Sequence, residues 1–238
     1  LPAPGKVTKT THFQALPYAQ LPVFMEQLVG QDGMGAKALL FLILTAARSG
    51  EVRGATWEEI DLAARVWTIP AERMKASKAH RVPLSDVAIA LLQEMKALAL
   101  AAGRTSGKAY VFPSPNSRDP ELGSQLSDMT LTAVLRRLKL EAVPHGFRST
   151  FRDWCAEQTD YPNEVAEMAL AHTVSNKVEA AYRRGDLLAK RQQLMQDWAD
   201  YALGRRAENT TDGHSSAPIA STRDNTPDQH NNTEGAMQ

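Results

Sequence analysis

The sequence predicts a mainly helical α+β fold: a helical bundle carrying one small three-stranded antiparallel sheet. Three observations lead there. Segments with apolar residues at helical spacing occupy both halves of the chain, three short strand-like runs (EEIDL, RVWTIP and HRVPLS) sit together between them, and no internal repeat period appears. With 238 residues, 43% of them hydrophobic, the chain is long enough to bury a large core.

Taken in order, PYAQLPVFMEQLV (17–29) and GAKALLFLILTAAR (35–48) read as helices joined by the loop QDGMG. The second is apolar on most faces. Its run AKALLFLILTAA is too short to span a bilayer and ends in Arg48, so it reads as a buried core helix and no membrane association is expected. The three strand-like runs follow, with AERMKASKA (71–79) as a basic connection between the last two. SDVAIALLQEMKALALAAG (85–103) restores the helical period, capped by Ser85 or Asp86 and stopped by Gly103. After the extended AYVFPSPNSRDP come helical segments at 126–140, 145–158, 163–172, 177–185 and 187–203.

Residues 12–204 are expected to form one domain. Residues 1–11 read as the remnant of a linker, and a chain starting at Leu1 rather than Met reads as an excised domain. Residues 205–238 contain three basic and five acidic residues and almost nothing apolar, the composition of a disordered polar tail. The single cysteine, Cys155, permits no internal disulfide; it reads as a small buried filler in a protein of a reducing, intracellular setting. Formal charge sums to zero, yet the charges cluster: Arg73, Lys75, Lys78 and Arg81 have no acid among them, and Arg136, Arg137, Lys139, Arg148 and Arg152 crowd a second stretch.

Several residues invite a chemical reading, and each has an ordinary structural one. In PHGFRSTFRDWC, His145 and Arg148 are three apart on a predicted helix, within reach of one ligand group. A helix N-terminus at Pro144 would add partial positive charge there, as a phosphate site requires. By chance alone, H-x-x-R is common. In TAARSGEVRGATW, Arg48 either caps the preceding helix or is aimed at a ligand with the Glu51 carboxylate fixing its guanidinium. His172 follows a short helix, and Tyr182 lies ten positions later on the next; taken singly, each reads as loop or packing.

Together, T-A-x-R-x-x-E at 45–51, a basic hairpin with Lys75, H-x-x-R at 145–148, L-A-H at 170–172 and Tyr182 resemble, in order and spacing, the catalytic domain of tyrosine recombinases. The wording HGFRSTFRDW and the ending MQDWADYAL resemble phage and genomic-island integrases in particular, and the likeness covers about residues 12–203. It implies Arg48, Lys75, His145, Arg148 and His172 as the phosphate-binding and acid/base set, with Tyr182 as nucleophile. Lys78 occupies the same loop as Lys75, which is preferred for its match to the M-K of related integrases. The implied reaction makes a 3′-phosphotyrosyl bond and calls for neither metal nor cofactor; the metal and nucleotide motifs H-E-x-x-H, C-x-x-C and G-x-x-x-x-G-K-[ST] do not occur in the chain.

Beside these, Lys78, Arg81, Arg136, Arg137, Lys139, Arg183 and Arg184 are expected to contact the DNA backbone. The resemblance further implies double-stranded DNA attachment sites as substrate and a homotetramer on DNA in the full-length protein. It also implies upstream DNA-binding domains, DNA-bending or excision factors, and a bacterial cytoplasmic, nucleoid-associated location. Two other readings use the same residues: a type IB topoisomerase that nicks and reseals one duplex, and a decayed prophage remnant that only binds DNA.

Overall fold

A computed structural model describes residues 14–172 and 185–205. Its centre is the helix the sequence marks as buried. After a 3₁₀ turn at Tyr18–Gln20, α1 (Leu21–Val29) turns its Leu21, Phe24, Met25 and Leu28 face inward. The face packs on α2 (Met34–Thr45), in which nine residues are buried, including every one from Ala38 to Thr45. The expected helix 35–48 stops early because Ala46 takes a left-handed conformation (φ 49°), and the chain restarts as the short α3 (Ser49–Arg53).

The sheet is antiparallel with strand order β1 (Ile60–Asp61), β2 (Val66–Ile69), β3 (His80–Pro83), in the register Ile60↔Trp67 and Ile69↔His80. The first strand is shorter than EEIDL suggests. Trp57–Glu59 form a 3₁₀ turn that buries the Glu59 carboxylate, which accepts the Trp67 Nε1–H at 2.9 Å and pairs with Arg73. Helix α4 (Asp86–Ala101) starts on Ser85, whose hydroxyl accepts the Ala88 N–H, and stops before Gly103 (φ 74°). The extended stretch from 109 pairs through single bridges, Thr56↔Tyr110 and Pro113↔Gln125.

Four helices complete the described fold: α5 (Thr130–Arg137), α6 (Gly146–Gln158), α7 (Asn163–Ala169) and α8 (Leu188–Ala202). The first is shorter than the expected 126–140, ending where Lys139 turns left-handed (φ 58°). The helix expected at 177–185 falls almost wholly outside the described residues. Helix α6 sits so close to residues 14 and 15 that a Cβ on Gly146 would lie 2.2 Å from the Gln14 carbonyl oxygen, so only glycine fits there. Behind α6, Phe151, Trp154, Trp198 and Tyr201 form a continuous aromatic cluster, and Trp198 Nε1–H donates to the Ile43 carbonyl at 2.8 Å. This contact ties α8 to the central helix. Cys155 is buried beside the cluster, and its thiol is pushed up to about 12 by that burial, in keeping with a filler.

Candidate active site

Arg148 is the centre of the site. Only 4% exposed, it projects from the first turn of α6, and its guanidinium is held by two helix ends. One terminal nitrogen donates to the Ala46 carbonyl at the end of α2, and the other to the Leu170 carbonyl at the end of α7, both at 2.5 Å. Helix C-termini carry orphan carbonyls and partial negative charge, so together they satisfy a buried cation without a carboxylate. Local sequence builds both ends. Ala46 and Ala171 each turn left-handed at φ 49°, and after α7 the Ala171 and His172 N–H groups bond back to Met168 and Glu167 in a Schellman turn. Alanine in this conformation is strained, so the backbone stores strain at the two turns flanking the arginine.

His172, immediately after the second turn, lies with Nε2 3.3 Å from the Arg148 guanidinium. Its Nδ1 bonds to Glu167 at 2.7 Å, and Glu167 also accepts from Arg152. A guanidinium only donates, so Nε2 is the acceptor and Nδ1 carries the proton. Burial raises Glu167, but the bonds from His172 and Arg152 outweigh it and leave the carboxyl below its ordinary range.

Arg48 stands at the start of α3 rather than inside the preceding helix. Its backbone N–H and its guanidinium both donate to the Glu51 carboxylate at 2.8 Å, so the residue three positions on fixes both its main chain and its side chain. Glu51 is buried, whereas the Arg48 side chain remains 27% exposed. The positive field of this group is visible in its neighbours. Burial and then Arg48 push Arg148 down to about 10, still charged at neutral pH. His145, exposed just before the first turn of α6, is held below the ordinary histidine range by burial and by Arg148, Arg48 and His172 in turn. The structure therefore brings together Arg48, Glu51, His145, Arg148 and His172.

Other expected residues lie elsewhere. Lys75 and Lys78 are both exposed on the β2–β3 connection. That connection is anchored at its base by Arg73, which pairs with Glu59 and donates to the Glu51 carbonyl at 2.5 Å. Arg136, Arg137 and Lys139 are exposed at the end of α5, and Arg81 forms a two-pronged ion pair with Asp186 at 2.7 and 2.8 Å. Tyr182, Arg183 and Arg184 lie outside the described residues. Three participants were missed in sequence: Glu167, His80 and Arg191. Glu167 had a signal, an acid five positions before a candidate histidine; a buried arginine such as Arg191 shows none.

A buried arginine between two helix ends, a second arginine fixed by a carboxylate and two flanking histidines, on a helical domain with a small antiparallel sheet, are the arrangement that the resemblance to a tyrosine recombinase catalytic domain implies. The Phage integrase family model matches residues 17–187, and the chain belongs to that family. It is similar to the prophage integrase IntA of Escherichia coli K12, with 38% identity over 76% of this chain and 42% of that protein. It is similar also to the integrase of enterobacteria phage P4, with 33% identity over 82% of this chain and 46% of that protein. The chain thus spans less than half the length of these relatives. Among solved structures the XerA recombinase shares the fold, with a TM-score of 0.51 at 14% identity over 83% of this chain and 64% of that one.

Proposed function

We propose that the chain is the catalytic domain of a site-specific DNA integrase that cleaves and rejoins strands through a 3′-phosphotyrosyl intermediate. The observation that carries this reading is the paired cationic site, in which Arg148 is locked by two helix ends beside Arg48. A phosphodiester repels nucleophiles, and its negative charge grows in the transition state. Two guanidiniums fixed in advance stabilise that charge without reorganising. Arg48 and Arg148 take the nonbridging oxygens, and His172 donates to the same phosphate once Nε2 carries a proton, with Nδ1 still held by Glu167. The Tyr182 oxygen attacks phosphorus as the bond to the 5′ oxygen breaks. The phenolic proton leaves with the help of His145, and Lys75 protonates the departing 5′ oxygen. With its pKa lowered, His145 is neutral at neutral pH, as a proton acceptor must be.

In this reading the substrate is double-stranded DNA carrying attachment sites. Lys78, Arg136, Arg137, Lys139, Arg183 and Arg184 contact its backbone, and the full-length protein acts as a tetramer in the bacterial cytoplasm with bending or excision factors. The integrase relatives favour it over a nicking-resealing topoisomerase or an inert remnant. The test uses a nicked duplex spanning the junction between the mobile element and its flanking DNA. The protein should become covalently attached, with the linkage mapping to Tyr182. Tyr182→Phe should fold, bind and form no adduct, and Arg148→Ala should lose at least two orders of magnitude in adduct formation. Near-normal cleavage by a folded Arg148→Ala protein would defeat the assignment, and relaxation without strand exchange between duplexes would favour the topoisomerase.

A further inference from the structure

The downstream side of the candidate nucleophile is fastened to the sheet by a group that phosphate chemistry leaves unused. Asp186 is four residues beyond Tyr182 in the chain. Its carboxylate takes both prongs of the Arg81 guanidinium, Nε at 2.8 Å and a terminal nitrogen at 2.7 Å, and forms an ion pair with Arg191 at 2.9 Å. Arg191, on the first turn of α8, is 1% exposed. It also donates to the Asp186 carbonyl at 2.7 Å and the Arg81 carbonyl at 2.5 Å. The upstream side is held by the neighbouring residue of the same strand: His80 Nε2 lies 3.3 Å from the Ala169 carbonyl at the end of α7. Successive side chains of a strand leave opposite faces, so the start of β3 stands between the two ends.

We infer that His80, Arg81 and Arg191 form a clasp that holds Ala169 and Asp186 at β3, and that Arg81 acts as a positioning residue for Tyr182 rather than as a phosphate contact. The inference rests on the reading of Tyr182 as nucleophile. Asp186 is only four positions from Tyr182 in the chain, and reaction rates fall steeply when a nucleophile is misplaced. Arg81 also has its Nε and one terminal nitrogen committed to a carboxylate, which offsets the charge that a phosphate would attract. Because β3 follows directly on the loop with Lys75 and Lys78, one strand end fixes the reach of the acid and the nucleophile together.

The test compares Arg81→Ala, Arg81→Lys, Asp186→Asn and the Arg81→Ala/Asp186→Asn double variant on the nicked junction duplex. Single-turnover adduct formation is measured alongside DNA affinity across a salt series. Thermal melts check that each variant folds. The clasp predicts that Arg81→Ala and Asp186→Asn each slow adduct formation by about 10- to 100-fold. The double variant should be no slower than the worse single one, Arg81→Lys should recover part of the rate, and the salt slope of Arg81→Ala should match wild type. A slope reduced by roughly 0.9 in Arg81→Ala would make it a phosphate contact and overturn the inference. So would wild-type rates in both single variants with the adduct still at Tyr182. A wild-type adduct on another residue would instead overturn the nucleophile assignment, and the clasp with it.

Discussion

At the scale of single residues, His80 shows how position on the fold decides ionisation. Burial, and after it the charge of Arg191, holds the imidazole down to about 4, with Arg148 acting in the same direction; Glu51 and the bond to Ala169 oppose them without prevailing. The ring is therefore neutral in the folded protein while an unfolded histidine protonates near 6.5. As pH falls from about 6.5 to about 4, the unfolded chain takes up a proton that the folded chain refuses, and stability is lost over that window. The contribution is at most about 3 kcal/mol, fully present above pH 6.5 and gone below 4. Chemical denaturation at a series of pH values should give wild type a steeper loss between pH 6.5 and 4 than His80→Gln, which keeps a donor and cannot charge. Parallel curves for the two proteins would show that His80 is not the group responsible. Nothing in the sequence around HRVPLS gives this away, because the shift depends on α6, α7 and α8 converging on one strand end.

Elements were more legible than residues, for a physical reason that α2 and α8 illustrate. Apolar spacing alone places α2 at the centre, since a run such as LLFLIL has nowhere else to go, and the QQLMQDWADYAL pattern places Leu194, Trp198 and Ala202 on one inward stripe of α8. Where elements stop was less legible. Ala46, Lys139 and Ala171 turn left-handed without being glycine, so the signal that marks Gly103 and Gly204 as helix stops is missing at the turns that matter most to the site. Of the candidate site, the sequence order exposed Arg48, Glu51, His145, Arg148 and His172, while their buried partners depend on contacts between distant segments. The α8 stripe also makes a prediction. Trp198 is fully buried, packs against Phe151, Trp154 and Tyr201, and hydrogen-bonds the carbonyl of Ile43. Trp198→Ala should cost about 3–5 kcal/mol in denaturant unfolding, through the cavity left and the lost hydrogen bond. Trp198→Phe should recover most of the packing and little of the bond. A cost below about 1 kcal/mol for the alanine variant would mean that α8 is not fastened to the core through this side chain.

At the scale of the whole molecule, a chain with zero formal charge is an unpromising ligand for a polyanion, and binding must come from where the charges lie. Arg136 and Arg137 occupy the last turn of α5 and Lys139 the left-handed residue after it, all exposed, so three cations share one helix end. There they have a structural role as well: positive charge at a helix C-terminus complements its dipole, by about 0.3–1 kcal/mol per residue at low salt. The two roles separate in a salt series. If the cluster contacts backbone phosphates, neutralising Arg136, Arg137 and Lys139 to glutamine should weaken binding to any duplex sequence by a similar factor. It should also reduce the slope of log K against log salt by up to about 2.7, three times the roughly 0.9 released per contact. Stability should fall by no more than about 1–3 kcal/mol, and by less as salt rises. Binding by gel shift and melting by circular dichroism, both from about 50 to 200 mM salt, a range over which three such contacts change affinity by about 40-fold, measure the two effects on one protein. An unchanged slope with a lowered melting temperature would assign the cluster to the helix alone and move the DNA-facing surface elsewhere on the domain.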